Sequence, residues 1–271
     1  MLLNIKDIIF KTKVYNEEAQ LPTVYKNQIF YSKKINGKSH IFKSKISKSL
    51  KISNEKCILQ PGERGCFDDK GVMPSCKIEK KLFYTGWNTD KGDVPYGHGI
   101  GIINGNKRIS KGPIIDRQLH IPYLANSPFV IKINDKYHMW FCNGTGWSDS
   151  LPLYGIGHAI SKDLVKWNIS KKIFGEENKA YSRPYVAVIN NKLYMWCAVK
   201  TKVKNYKIIE FCNNKVSNNW KVQGELDLPL ESWNDQMLCY PWLTFTKNNI
   251  YLFVNGNNYG QTGIGCYVYK K

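Results

Sequence analysis

Asn126-Ser127-Pro128-Phe129-Val130-Ile131-Lys132-Ile133-Asn134-Asp135-Lys136-Tyr137-His138-Met139-Trp140-Phe141 decides the reading of this chain. A proline opens a short apolar run, the polar turn Asn134-Asp135-Lys136 interrupts it, and an alternating, aromatic-rich run follows. Runs of this length bounded by turn residues read as the strands of a hairpin. The layout occurs five times, the other openings being Ala19-Gln20-Leu21-Pro22-Thr23-Val24, Gly71-Val72-Met73-Pro74-Ser75-Cys76, Ser182-Arg183-Pro184-Tyr185-Val186 and Cys239-Tyr240-Pro241-Trp242-Leu243. A third run follows in several repeats, as in Gly99-Ile100-Gly101-Ile102 and Gly263-Ile264-Gly265-Cys266-Tyr267-Val268.

Pro22, Pro74, Pro128, Pro184 and Pro241 lie 52, 54, 56 and 57 residues apart. Short strands repeating at a near-fixed period predict an all-β fold, a five-bladed β-propeller. One domain is expected over residues 1–271, with blades near 16–56, 70–112, 124–170, 180–224 and 235–271. Proline donates nothing to a strand ladder and suits a strand's first residue. In a propeller that strand lines the central channel, so each proline marks an entry that faces the ligand. Gly97, Gly99 and Gly101 superficially suggest a phosphate-binding loop, but they lie within a strand and no helix follows; close backbone packing explains them better.

The 271 residues are 42% hydrophobic and 13% aromatic, enough apolar material to exclude wholesale disorder. Forty Lys and Arg against 21 Asp and Glu leave a formal charge of +19. Such a surface attracts phosphate-bearing or acidic partners. It is equally what compositional drift toward Lys, Asn and Ile produces. The lysines are scattered, and no zinc-finger, helix-turn-helix or aromatic RNA-binding signature accompanies them, so nucleic acid is not the expected partner. The eight cysteines are spread without a Cys-x-x-Cys pair, and Cys76, Cys142, Cys197 and Cys266 fall in strand-like runs, which reads as buried thiols. Lys6, Asp7 and Lys11 interrupt the apolar N-terminal stretch, and no later stretch could span a bilayer, so a cytoplasmic protein is expected.

The run Glu63-Arg64-Gly65-Cys66-Phe67-Asp68-Asp69-Lys70-Gly71-Val72-Met73-Pro74-Ser75 carries a family likeness. So do Tyr84-Thr85-Gly86-Trp87-Asn88, Val94-Pro95-Tyr96, Ile115-Asp116-Arg117, Trp233-Asn234-Asp235-Gln236-Met237 and the stretch from Asn255 to Gly263. From about residue 16 onward the chain resembles the five-bladed propeller proteins related to glycoside hydrolase family 43. More narrowly, it resembles a branch associated with surface-polysaccharide biosynthesis. The resemblance implies carbohydrate chemistry by three carboxylates, with an Asp directly before the first blade's proline, another before a later one and a Glu near a third. Here Leu21, Met73, Ser127, Arg183 and Tyr240 precede the five prolines. Ile160 stands where the branch's relatives often carry Glu, and Glu210 in the fourth repeat is two positions out of register.

The candidate catalytic residues are therefore Asp69, as base or nucleophile, with Asp235 or Glu63 as partner acid. Adjacent carboxylates can raise one another's pKa, which acid–base work at neutral pH requires; an ordinary turn, Asp68-Asp69-Lys70-Gly71, is the plain alternative. Arg183 is expected either to grip an anionic group bidentately or to pair with Asp69 or Asp235. Asp68, Gln20, Ser127, Tyr240, Trp87, His98 and His158 complete the expected substrate-binding set, with Glu17, Glu18, Tyr96 and Trp147 near it. His98, His120, His138 and His158 lack ligand-type spacing, so neither a metal nor a cofactor is expected. The expected ligand is a sugar or nucleotide sugar carrying negative charge, with neither nucleic acid nor a membrane span expected. Three readings stand at this stage: an enzyme acting on a sugar in cytoplasmic glycan assembly, a non-catalytic carbohydrate-binding propeller, and a polyanion binder driven by charge.

Overall fold

The computed structural model describes residues 2–89, 94–148, 151–201 and 205–271, and nearly every element in it is a strand. After β1 (Ile8–Tyr15), the chain makes antiparallel meanders. The first comprises β2 (Gln20–Tyr25), β3 (Gln28–Ile35), β4 (Lys38–Ile46) and β5 (Ile52–Leu59). The second comprises β6 (Gly71–Ile78), β7 (Lys81–Asn88), β8 (Gly97–Asn104) and β9 (Lys107–Arg108). The third is β10 (Ala125–Ile133), β11 (Lys136–Ser148), β12 (Leu151–Ser161) and β13 (Asn168–Ile169). The fourth is β14 (Lys179–Ile189), β15 (Lys192–Thr201), β16 (Lys207–Asn213) and β17 (Lys221–Glu225). The fifth holds β18 (Cys239–Phe245), β19 (Asn249–Asn255) and β20 (Ile264–Lys270). It takes β1 as its outer strand, paired antiparallel to β20 from Ile8↔Tyr269 to Tyr15↔Ile264.

Single parallel bridges, Ser39↔Gly71 and Tyr154↔Ala180, link the first meander to the second and the third to the fourth. Strand pairing thus gives one four-stranded and two eight-stranded sheets, which are not hydrogen-bonded into a closed barrel. They meet by packing instead. The proline-bearing strands form a ring of contacts, β2 against β6, β6 against β10, β10 against β14, β14 against β18 and β18 back against β2.

The third-strand glycines are seats for aromatic rings. Tyr84 lies opposite Gly101, and Phe141 opposite Gly157. A Cβ added to Gly101 would sit 2.2 Å from Tyr84 Cζ, and one on Gly157 2.5 Å from Phe141 Cζ. An aromatic laid over a cross-strand glycine covers backbone that would otherwise be left open. All eight cysteines are free thiols; Cys76, Cys142, Cys197, Cys239 and Cys266 are buried. No helix among the described residues is long and apolar enough to cross a membrane.

Candidate functional site

Each first strand carries a register shift at its proline. In four of them the residue before the proline is left-handed: Leu21 (φ 60°), Ser127 (50°), Arg183 (53°) and Tyr240 (56°). Met73 differs, its shift falling between Pro74 and Cys76. A non-glycine residue in this region costs about 1–3 kcal/mol, and a following proline narrows its choices further. Bulges re-aim side chains. The same strained step in four strands of one ring marks the ring interior as the candidate site.

Arg183 occupies that interior, its side chain buried. Nη1 donates to Pro74 O at 3.0 Å, and Nη2 donates to Leu21 O at 3.2 Å, Pro22 O at 2.8 Å and Thr23 Oγ1 at 2.7 Å. β14 adjoins β10 and β18 in the ring, whereas these acceptors belong to β2 and β6, so the side chain crosses from one side to the other. Its Cζ lies 5.8 Å from the Trp242 ring, which packs with Tyr185 at 5.2 Å and Phe129 at 5.5 Å. Nε has no hydrogen-bond partner. No ion pair among the described residues includes Arg183, and the expected pairing with Asp69 or Asp235 is replaced by backbone carbonyls. Burial lowers the guanidinium pKa to about 10, against the opposing pull of Tyr240 and Cys76.

A polar belt continues from Arg183 around the ring. Thr23 Oγ1 donates to Ser75 O at 3.4 Å, Ser75 Oγ meets Thr85 Oγ1 at 3.4 Å, and Ser127 N donates to Thr85 Oγ1 at 2.9 Å. Arg183 N in turn donates to Cys142 Sγ at 3.2 Å. Next to this belt, Tyr154, Tyr206, Met237 and Cys239 form a small apolar cluster, with Tyr96, Trp147 and Tyr240 packed against it. Tyr96 lies 5.0 Å from both Trp147 and His98, and Tyr206 lies 6.2 Å from Tyr259. Lys200 Nζ stands 5.3 Å from the centre of the Tyr206 ring, and burial lowers its pKa. The Trp147 indole N–H is buried without a partner. Rings with polar tips around a buried cation suit a ligand with apolar ring faces and an anionic group.

The carboxylates are placed differently from one another. Asp68 is buried and spent: Oδ2 accepts from Arg108 Nε at 2.9 Å, Arg108 Nη2 at 2.8 Å and the Tyr84 hydroxyl at 3.0 Å. The substrate-binding expectation for Asp68 gives way to a structural ion pair. Asp69 is half-buried; Oδ2 accepts from Gly65 N at 2.8 Å, and Oδ1 is buried with no partner. Glu63 is exposed in the same loop. Asp235 is exposed on the loop before β18, where Oδ1 accepts from Asn257 Nδ2 at 2.7 Å. No hydrogen bond among the described residues joins Asp69, Glu63 and Asp235 into a carboxylate pair. Glu210, the acid out of register, is buried and accepts from Leu2 N, Leu3 N and the Trp196 indole.

Gln20 is half-buried opposite Ser32, and Ser127 is buried in the belt. Glu17 and Glu18 face Lys33 and Lys34 at 3.8 and 3.9 Å. Trp87 lies opposite Gly71, where its Nε1 would stand 2.2 Å from an added Cβ, so it packs on the second meander's inner strand. His98 meets Asn126 Nδ2 through Nδ1 at 2.8 Å, beside Tyr96. His158 is elsewhere: it stacks on Trp140 at 5.0 Å and meets His138 at 3.1 Å, inside the third meander's packing. A place for His158 beside the ligand is therefore corrected; stacking has used its faces and His138 its ring nitrogen.

Burial lowers the pKa of His158 to about 4. The unfolded imidazole titrates near 6.5, so below that pH the unfolded chain binds the extra proton and stability falls. At pH 5 this one group is expected to cost up to about 2 kcal/mol. Thermal melts at pH 7 and pH 5 check it: the drop should shrink in His158→Leu, and an equally steep drop would remove His158 as the cause.

The two stretches that carried much of the family likeness meet in space. Asn255 Oδ1 accepts from Leu21 N at 2.8 Å while Nδ2 donates to Ala19 O at 2.7 Å. Asn257 Oδ1 accepts from Gln236 N and Met237 N, both at 3.0 Å. They therefore brace the loops at the ring's mouth. Tyr154, Tyr206 and Lys200 escaped the sequence reading, and Tyr259 entered it only within the Asn255–Gly263 likeness; none has a proline beside it to mark it as facing the ring.

No family model matches the chain. It is 30% identical over 231 residues, 78% of its own length and 75% of the relative's, to "Uncharacterized protein Rv1502" of Mycobacterium tuberculosis. Among solved structures, a protein described as a glycoside hydrolase superposes with a TM-score of 0.71 at 12% identity, covering 96% of this chain and 90% of that one. A thermostable family-43 glycoside hydrolase gives 0.66 at 12% identity, covering 99% and 92%. The GH32 β-fructofuranosidase BmSUC1 of Bombyx mori gives 0.68 at 14% identity, covering 96% of this chain and 62% of that one. At these identities the likeness is one of fold, that of propeller-type glycoside hydrolases.

Proposed function

The chain belongs to the family of the Mycobacterium tuberculosis protein Rv1502, and on that premise we propose that it is a five-bladed propeller whose ring interior binds a carbohydrate carrying an anionic group. The five first strands in cyclic contact support the blade count. One observation carries the ligand reading: Arg183 is buried in the ring with its Nε unpartnered and no carboxylate beside it. A guanidinium out of water is stabilised by an oxyanion far more than by neutral carbonyls. Lys200 adds a second cation, and Tyr96, Tyr206, Tyr240 and Trp147 supply ring faces. A nucleotide-linked or lipid-phosphate-linked sugar in cytoplasmic surface-glycan assembly is the narrower form of this proposal, supported by the +19 charge and the family likeness.

Binding isotherms at fixed ionic strength test it, using a glucuronate-containing oligosaccharide, UDP-glucose and a neutral glucose oligomer. The charged ligands should bind at least about tenfold more tightly than the neutral one, the worth of one charge-assisted hydrogen bond. Tyr240→Leu should weaken them by a similar factor. Equal affinity for charged and neutral sugars, or none for any, would sink the reading.

A second reading, turnover, rests on Asp69 Oδ1, a buried carboxylate oxygen with no donor. Such an atom suits a base that receives a proton from a substrate hydroxyl or water. Asp69→Asn separates the two: a catalyst loses turnover by orders of magnitude, whereas a pure binder keeps its affinity. Asp235 and Glu63 remain the acids proposed to work with it.

A further inference from the structure

A cationic hollow lies away from the ring interior, lined by residues of the first two meanders. Gln28, Phe30, Lys43, Lys56, Lys77 and Asn106 line a cavity of about 330 Å³. Phe30, Lys43 and Lys56 stand in one row across β3, β4 and β5, since Phe30 pairs with Lys43 and Lys43 with Lys56. Lys77 enters from β6, its Nζ 5.7 Å from the Phe30 ring and 5.6 Å from the Tyr25 ring. Like charges placed directly opposite on neighbouring strands are destabilising. No ion pair among the described residues includes Lys43, Lys56 or Lys77; Lys77 Nζ has the two ring faces and donates to Lys80 O at 3.4 Å, and no carboxylate neutralises it. The neighbouring acids are engaged elsewhere: Glu55 with Tyr15 and Lys33, Glu79 with the Tyr137 hydroxyl. Burial and the Lys43 charge both lower the Lys77 pKa.

Local rules are broken this way mainly where function requires it. We propose that Lys43, Lys56 and Lys77 form an oxyanion site for a small phosphorylated molecule, separate from the ring interior and independent of what binds there. The lysine head is a compact point charge suited to phosphate, whose oxygens accept from several donors at once. The cavity volume of about 330 Å³ is enough for a phosphate with a ring-sized substituent.

The test compares wild type, a triple variant Lys43→Gln/Lys56→Gln/Lys77→Gln, and a control variant Lys13→Gln/Lys162→Gln/Lys247→Gln of equal charge change, whose three lysines are exposed and outside the cavity lining. Titrations use inorganic phosphate, glucose 1-phosphate and phosphatidylglycerol vesicles, with chloride holding ionic strength constant. Phosphate and glucose 1-phosphate are expected to bind wild type and control alike and the triple variant at least about tenfold more weakly. Without ligand the triple variant should melt no lower than wild type, because it relieves a repulsion. Retained phosphate binding in the triple variant, equal loss in the control, or binding to vesicles alone would each overturn the assignment.

Discussion

Arg183→Met is expected to lower the melting temperature by about 10 °C, the effect of some 3–5 kcal/mol in a chain of this size. The side chain fills the volume left by the arginine stem, so packing is nearly conserved. What goes is the donor set: Pro74 O, Leu21 O, Pro22 O and Thr23 Oγ1 all lose the guanidinium that tied three meanders across the ring. Buried acceptors left without donors cost about 1–3 kcal/mol each, though not additively. The opposing consideration is that a buried cation pays a desolvation penalty that an apolar residue avoids. Four hydrogen bonds on one guanidinium favour the destabilising outcome. Melts and urea titrations of the apo protein decide it. A melting point unchanged or raised would mean that the bonds do not outweigh desolvation, and that the charge persists against stability, as a residue serving an anion would.

Glu210→Ala should be comparably severe and should act at a different place. The carboxylate is wholly buried and takes hydrogen bonds from Leu2 N, Leu3 N and the Trp196 indole. Removing it strands three donors and opens a cavity between β16 and the N-terminal segment, at about 3–4 kcal/mol. The loss should be local before it is global: amide exchange should accelerate across β1 and its partner β20 well before the remaining strands respond. Glu210→Gln, which keeps the volume and one acceptor, should fall between. Uniform acceleration over all meanders would show that Glu210 holds the core as a whole and not this segment.

The strand pattern was legible because it rests on local chemistry. A proline, a polar turn and an aromatic alternation repeat at Pro22, Pro74, Pro128, Pro184 and Pro241, and each proline lies in a first strand. That β1 pairs with β20 was not legible, since Ile8–Tyr15 carries no proline and its partner lies at the other end of the chain. The pre-proline residues were marked as facing the ligand entry, but not their left-handed backbone, which sequence alone does not signal at Leu21 or Tyr240. Arg183 was assigned to the interior; its acceptors were not, because carbonyls of Leu21, Pro22 and Pro74 have no residue signature. Asp68 illustrates the reverse error. An Asp-Asp pair looks chemical in sequence, yet Arg108, forty residues on, claims one member for structure.

The pairing of β1 with β20 sets a timetable for synthesis. The strand translated early has its hydrogen-bonding partner more than two hundred residues away, so the ribosome delivers it long before that partner exists. Closing so long a loop is entropically slow to be repaid. Until then Ile9 and Phe10, exposed even in the finished fold, belong to a strand with all its backbone hydrogen-bonding groups unpaired, open to pairing with other nascent chains. The intervening meanders can form in order behind it. Pairing β1 with β20, the contact of longest sequence separation among the strand pairs described, is then expected to form late in folding.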